Sequence, residues 1–235
     1  MDAHAAHADA AEVEGDLRGG AARLRGIRVS SSGLPAPQWN SADVTAPDPD
    51  LEGARAFFGD LPWGFRVPEG MDWHVGRRLF TQPLMTLAAG ALRAAPAVPG
   101  LEIRRAGPED IDAVLAIDGE AFATDPEEGR PWAAPHLDSP RILTVLAFSG
   151  AEPVATAHTI RSDAEAGPAL LLGGVAVVRA ARRRGIAAHV SSRLLALGFA
   201  EGAAFAHLHA DTPQAARVYA RLGFGPAGGL DIYAR

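Results

Sequence analysis

The sequence predicts an α/β protein: a mixed central sheet flanked by helices, preceded by a smaller α/β unit at the amino terminus. Three observations carry this. From Leu101 onward, short apolar runs alternate with segments whose apolar residues recur every three or four positions. Two neighbouring strands flank the turn Ser149-Gly150-Ala151-Glu152-Pro153, while the later strands are separated by helices, so the sheet is antiparallel early and has a helix crossover late. Between the two units, residues Ala94–Gly100 are small and include two prolines, the composition of a linker.

In order, residues 1–25 are poor in bulky apolar side chains and are expected to lack fixed structure. Gly26–Ser30 reads as a strand, followed by a Pro/Ser/Asn-rich loop through Asp50. Leu51, Ala54, Phe57 and Phe58 then recur at helical spacing. Trp63–Val67 reads as a strand, Asp72–Leu79 as a short helix and Pro83–Leu87 as a strand, which makes 26–93 a small domain and 94–100 its linker. In 101–235, Leu101–Arg105 is a strand, and Pro108-Glu109-Asp110 opens a helix with Ile111, Val114, Leu115 and Phe122 on its apolar face. A Pro-containing loop from Asp125 to Pro135 follows, with at most an irregular helical turn. Arg141–Phe148, Val154–Arg161 and Ala169–Val178 are strands, the last with Gly173-Gly174 inside it. Glycines within a strand mark a bulge or a close approach of backbone or ligand. A helix with Ile186, Val190, Leu194 and Leu197 on one face, a strand Ala204–Ala210, a helix Pro213–Leu222 and a strand Leu230–Tyr233 complete the chain.

Composition removes several classes of function. There is no cysteine among the 235 residues, so disulfides, thiol nucleophiles and Cys-based metal sites are excluded. A net charge of −6 argues against a general nucleic-acid binder, whose affinity rests on phosphate neutralisation. No apolar run approaches the ~18 residues of a membrane span, and Met1–Ala11 lacks the basic start and apolar block of a secretory signal. A cytoplasmic protein with no membrane partner is the expectation. All 22 basic residues are Arg, so Arg enrichment alone says little.

Val175–Ala187 nevertheless stands apart: a buried strand runs through a basic turn, Arg182-Arg183-Arg184-Gly185, directly into a helix. The first turn of a helix leaves N–H groups without intrahelical partners, and its dipole favours an anion there. Gly185 and Ala187 let a phosphate come close, and guanidinium groups suit its oxygens. A solvated Arg-rich turn is the plainer alternative. A P-loop would need Lys-Ser or Lys-Thr after its second Gly, and no G-x-G-x-x-G follows the strand.

Arg182-x-x-Gly185-x-Ala187, after a strand ending Val-x-Val, resembles the Q/R-x-x-G-x-G/A element of the GNAT superfamily of N-acyltransferases. Ala215-Ala216-Arg217-Val218-Tyr219-Ala220-Arg221-Leu222-Gly223-Phe224 is similar to that family's second element, a helix that carries a Tyr and ends in Leu-Gly-Phe. With the order of elements from Leu101 to Arg235, the resemblance covers a little over half of the chain. It implies a GNAT-like fold and acetyl-CoA as acyl donor, with no metal. It also implies that Val175, Ala176 and Val177 lie along the pantetheine arm, Val175 and Val177 pairing by backbone. Gly173-Gly174 would open that edge. Arg182, Arg183, Arg184, Gly185, Ile186 and Ala187 would hold the pyrophosphate, with Thr212 and Ala215 nearby. The sequence departs from the family at Arg183 and Ala187, where Gly is frequent, and at Thr212, where Asn is frequent, so Asp211 or Thr212 replaces that contact only in part.

On spacing alone Tyr219 is a half-buried core aromatic, on a face with Ala215, Val218 and Leu222. The resemblance implies instead that it protonates the departing thiolate. The attacking amine, with a pKa of ~10.4 if lysine-like, also has to lose a proton. His158, His207, His209, Asp118, Glu120 and Asp125 are candidates for the base, and the sequence does not choose among them. The first half resembles a shortened GNAT-like unit without a cradle, by analogy between Trp63–Leu87 and the closing segment, in which case Trp39, Trp63 or Trp73 would line an acceptor cleft. Core positions are the alternative for each. The expectation is thus an N-acetyltransferase acting on an amine-bearing acceptor of unspecified identity. A non-catalytic acyl-CoA-binding module and an Arg-loop nucleic-acid binder are the competing readings, and oligomeric state stays open.

Overall fold

The computed structural model describes residues 1–235. The first half holds α1 (Ala3–Asp16), β1 (Gly20–Leu24), β2 (Ile27–Ser31), β3 (Asn40–Val44), α2 (Leu51–Phe58), β4 (Gly64–Pro68) and β5 (Arg77–Ala88). The second half holds β6 (Leu101–Arg105), α3 (Ile111–Phe122), α4 (Pro126–Asp138), β7 (Ile142–Ser149), β8 (Glu152–Ser162), β9 (Ala169–Val177), α5 (Ile186–Ala200), β10 (Phe205–His209), α6 (Pro213–Leu222) and β11 (Gly225–Ala234). No helix is long and apolar enough to cross a membrane.

All the strands form one sheet in the order β1-β2-β3-β4-β11-β5-β10-β9-β8-β7-β6. It is mixed, as the sequence predicts: β3–β4 and β9–β10 are parallel and the other neighbours antiparallel. The final strand of each half is lent to the other, because β5 lies between β10 and β11 while β11 lies between β4 and β5. Leu87 of β5 accordingly packs with Leu170, Ile186, Leu194 and Leu208 in the core beneath α5. The other large core gathers Ile27, Val29, Phe58, Trp63, Phe65 and Trp73 beneath α2. Burial of side chains of this size contributes roughly 1.5–3 kcal/mol each, so both halves have cores of their own.

Four segments differ from the sequence expectation. Residues 1–25 are not without structure but form α1 and β1. Asp2 caps α1, its Oδ1 accepting from the His4 and Ala5 N–H groups at 3.1 and 3.0 Å. The helix packs on the sheet through Ala3, Ala6, Ala10 and Ala11. Small side chains let it approach closely, which is why bulky residues are missing from it. Its buried Asp9 binds Arg28 Nη2 at 2.5 Å, and Arg28 Nε reaches Glu12 at 2.7 Å. Within the expected loop before Asp50, β3 carries polar residues whose needs are met internally. Asn40 Oδ1 accepts from Ser31 Oγ and Ser32 N, and Asp43 pairs with Arg66 at 2.7 Å.

Asp72–Leu79 is not a helix. Gly70 just before it and Gly76 within it both take positive φ, and the Trp73 indole N–H donates to Val75 O, which ties the segment into a turn before β5. Conversely, the expected loop Asp125–Pro135 is part of the helix α4, capped by Asp125 and started by Pro126. Its interior Pro131 and Pro135 are one turn apart, so the missing donors fall on one face while Ala133, His136 and Leu137 are buried.

Asp9→Ala should destabilise the fold by about 3–5 kcal/mol, since it leaves the Arg28 guanidinium buried with one partner fewer. Urea unfolding of the two proteins at pH 7 measures the difference.

Candidate active site

The site begins where β9 and β10 part. Their parallel pairing spans only Phe205↔Ala169, Ala206↔Leu170 and His207↔Leu171. Beyond it, β9 bulges against β8: Thr156 pairs with Ala176 and His158 with Gly173, so three steps on β9 oppose two on β8. Gly174 has φ +57, and a Cβ there would lie 2.6 Å from His158 Nδ1; one on Gly173 would lie 2.8 Å from Nε2. The His158 ring occupies the space that two side chains would otherwise need. Val175–Val177 is thereby left with no strand on its β10 side.

This gap is part of a cleft of about 930 Å³ between the two halves. Val175, Ala176, Val177, Arg182, Ala187, Thr212, Ala215 and Tyr219 all line it. A smaller hollow of about 580 Å³ at Glu102, Arg104 and Phe148 on the far sheet edge contains none of them.

At the mouth of α5, the first backbone bond to close is His189 N–H to Gly185 O at 3.0 Å, and no side chain caps the helix. The N–H groups of Ile186, Ala187 and Ala188 therefore point out of the helix without partners in it. Gly185 has φ +83, and beside it Arg183 takes φ +67, a left-handed conformation unfavourable for a side-chain-bearing residue. Ile186 is buried, so only its backbone is available, whereas Arg182, Arg183 and Arg184 are exposed. Arg182 Nε donates to Val177 O at 2.9 Å, tethering the turn to the end of β9 and occupying that carbonyl. The side chains of Arg183 and Arg184 lie outside the cleft lining.

On the opposite wall, Thr212 caps α6, its hydroxyl accepting from Ala215 N–H at 3.1 Å, with Pro213 at the first helical position. That use commits the Thr212 side chain to the helix. Tyr219 is half-buried, its ring 6.0 Å from that of Phe224. Burial, and secondarily the Asp211 carboxylate, push its phenol up to about 12, so it keeps its proton throughout the neutral range.

The candidate bases separate by position. His207 is fully buried with both ring nitrogens unpartnered, and burial pushes it down to about 3. His209 is lowered by burial and packs edge-on to His7, 5.7 Å away. His158 lines the cleft beside His136, and burial holds it well below its ordinary value. Glu120 is engaged in binding Arg179 N–H, and Asp125 caps α4. Asp118 lines the cleft, and burial pushes its carboxyl up to about 7.

Of the three tryptophans considered, Trp63 and Trp73 are core and Trp39 lines the cleft. The sequence reading missed Trp132 of α4, which stacks on Trp39 at 5.0 Å and 4°, with the Arg18 guanidinium 4.1 Å over its ring. It also missed His7 and Arg66, which wall the cleft from the first half. The position of Trp132 between Pro131 and Pro135 was the available signal for the first of these.

Residues 111–224 match the model of the acetyltransferase (GNAT) family, and the chain carries an acetyltransferase domain of that family. The fold extends the likeness to both halves. A GCN5-related N-acetyltransferase from Kribbella flavida superposes with a TM-score of 0.74 at 22% identity, over 98% of this chain and 95% of that one. A GNAT-family protein from Novosphingobium aromaticivorans superposes with a TM-score of 0.66 at 20% identity, over 97% and 94%. A GCN5-related N-acetyltransferase from Sphaerobacter thermophilus gives 0.63 at 15% identity, over 89% and 76%. None of the curated proteins matches the sequence.

Two substitutions test this geometry. Arg183→Gly should stabilise the protein by about 0.5–1 kcal/mol in thermal unfolding, because relief of the left-handed backbone outweighs the added freedom of the unfolded chain. For Asp118, the folded protein holds a proton between the unfolded value of 3.8 and about 7 that the unfolded chain releases, so its contribution to stability falls as pH rises through that window. Asp118→Asn should therefore be more stable than the parent by about 1–3 kcal/mol at pH 8, with the difference vanishing toward pH 4.

Proposed function

We propose that this protein transfers an acetyl group from acetyl-CoA to a primary amine. The observation that carries the reading is the meeting, in one cleft, of an unpaired strand edge, an uncapped helix mouth and a protonated phenol. The residues present suit the donor. Val175–Val177 offers backbone to an extended arm, and Ile186, Ala187 and Ala188 offer N–H groups to a diphosphate at the positive end of α5. Gly185 leaves its space open, a Cβ there meeting nothing nearer than Val98 at 3.9 Å. Arg182 would turn from Val177 O to the phosphates, and Arg183 and Arg184 add positive potential from outside the cleft. The bound thioester supplies the activated acyl group; the chain positions it and handles the protons.

Tyr219 is the proton donor to the departing sulfur in this reading. A thiol titrates near ~8.5, so full transfer from a phenol at about 12 is uphill by roughly 5 kcal/mol. The hydroxyl therefore acts by hydrogen bonding as negative charge builds on sulfur, completing the transfer as the C–S bond opens. Since no hydrogen bond within the protein engages it, it is free to do so.

We also infer that the first half is a degenerate copy of the second. The parallel pair β3–β4 answers to β9–β10, and each half donates its last strand to the other. The first half has no counterpart of the Arg182–Ala187 turn and contributes cleft wall instead.

Isothermal titration with acetyl-CoA should give saturable heat. Release of free thiol in the presence of an amine panel should then depend on the protein. Absence of any binding at millimolar acetyl-CoA would end the reading, and binding without thiol release would leave a non-catalytic acyl-CoA module. Tyr219→Phe should lower kcat by about 10²–10⁴-fold with acetyl-CoA affinity little changed, and Tyr219 should contribute no alkaline fall in rate below pH 10.

A further inference from the structure

One face of α3 turns toward the cleft, carrying Leu115, Asp118 and Phe122 at positions three and four apart. Asp118 Oδ1 is sealed from solvent and has no hydrogen-bond partner. No cation accompanies it. One helical turn further on, Phe122 is 46% exposed and also lines the cleft, and so does Phe80 of β5, 54% exposed. Large apolar side chains left uncovered along a concave wall are unusual unless something packs on them. The cleft thus contains an anionic acceptor lacking a donor and apolar surfaces lacking a cover.

The other charges narrow what could supply both. Glu14, Asp118, Asp125 and Asp211 line the cleft, against two guanidinium groups, Arg66 and Arg182. Arg66 is taken by Asp43 at 2.7 Å and by His7 at 3.0 Å, and Arg182 lies at the α5 mouth. An acceptor carrying a carboxylate or phosphate would find no unengaged cation beside Asp118 and would face like charge. A monocation with an apolar body satisfies the wall.

We propose that Asp118 receives the ammonium group of the acceptor and takes its proton, and that the acceptor is a primary amine on an apolar frame lacking any negative charge. This rests on the acetyl-transfer reading above. In the step, the ammonium gives one proton to the Asp118 carboxylate, and the freed nitrogen lone pair forms the N–C bond to the thioester carbonyl carbon. The C–S bond breaks with its electron pair on sulfur. Of the two N–H protons lost, one leaves through Asp118 to solvent, and the other is balanced by the proton that Tyr219 delivers to sulfur and recovers. The products are a neutral amide, a free thiol and one proton.

Burial is the sole cause of the raised Asp118 carboxyl, which sits at about 7. The ionisable groups on the elements packed against α3 are Glu127, Glu128, Arg130, His136 and Asp138 on α4, and Glu152, His158 and Arg161 on β8. Glu109 and Asp110 precede α3, and Asp112 and Glu120 lie on α3 itself; β9 has none. None of them adds to the shift. The base is therefore ionised above pH 7, and the rate should rise through that pH and then level.

The test uses the full chain, acetyl-CoA and three amines, with free thiol as readout: 2-phenylethylamine, ethanolamine, which lacks the apolar frame, and phenylalanine, which adds a carboxylate to it. The expected result is kcat/KM at least about 10-fold higher for 2-phenylethylamine than for either of the others. Asp118→Asn should lower that value by about 10²–10⁴-fold and abolish the inflection near pH 7, while the heat of acetyl-CoA binding is retained. Asp118→Glu should recover part of the rate together with the inflection. Phe122→Ala should raise KM for 2-phenylethylamine by about 10-fold and for ethanolamine by less. Equal use of the three amines, preference for phenylalanine, or a parental pH profile in Asp118→Asn would overturn the proposal. Acetyl-CoA binding with none of the three acetylated would also overturn it while leaving the donor reading standing; no acetyl-CoA binding would remove both.

Discussion

The separation of β9 from β10 is the constraint on which the site depends. Parallel strands held in register along their length would leave no edge to pair with and no gap between α5 and α6. The three-residue pairing at Ala169–Leu171 ends at the bulge, and the bulge is possible because Gly173 and Gly174 lack side chains where the His158 ring lies. One steric requirement thus orients the strand edge, brings the helix mouth beside it and sets Tyr219 across from both. Because His158 is held neutral by burial, it fills this position without adding a charge to the cleft.

The second organising feature is the exchange of strands between halves. β5 is bordered on both sides by strands of the second half and β11 on both sides by strands of the first, so neither sheet portion is complete alone. The cleft inherits this arrangement. Its donor wall comes from the second half, while His7, Trp39, Arg66 and Phe80 come from the first. The Trp39–Trp132 stack with Arg18 above it joins the β2–β3 connection, α4 and the turn between α1 and β1 at one point.

Much of the second half was legible in the sequence because its signals are local. The residues Thr212, Pro213 and Gly223 mark the ends of α6, and its bounds are those expected. The glycine pair inside an apolar strand announced a bulge, and the basic turn ahead of Ile186 announced a helix mouth. What stayed hidden is what tertiary contact decides. The alanines of α1 look like a featureless tail until a sheet face lies against them. Asn40 and Asp43 look like loop residues until their hydrogen-bond partners are known. Pro131 and Pro135 argue against a helix unless their shared face is seen. The exchange of β5 and β11 has no local signature at all, and neither does the solitude of Asp118, which depends on the guanidinium groups of the neighbouring elements, Arg130 and Arg161, being paired with Asp112 and Asp163 instead.

Strand exchange also bears on how the chain is made. A ribosome delivers β4 long before β11, and until β11 has emerged the inner edge of the first half has its backbone donors and acceptors unsatisfied. The nascent first half is then a half-finished sheet able to adopt a stray strand from another chain. Gly229, Leu230 and their neighbours act as the clasp that closes this opening, so a chain interrupted ahead of Gly225 would keep the Arg182–Ala187 turn and Tyr219 but carry an open seam.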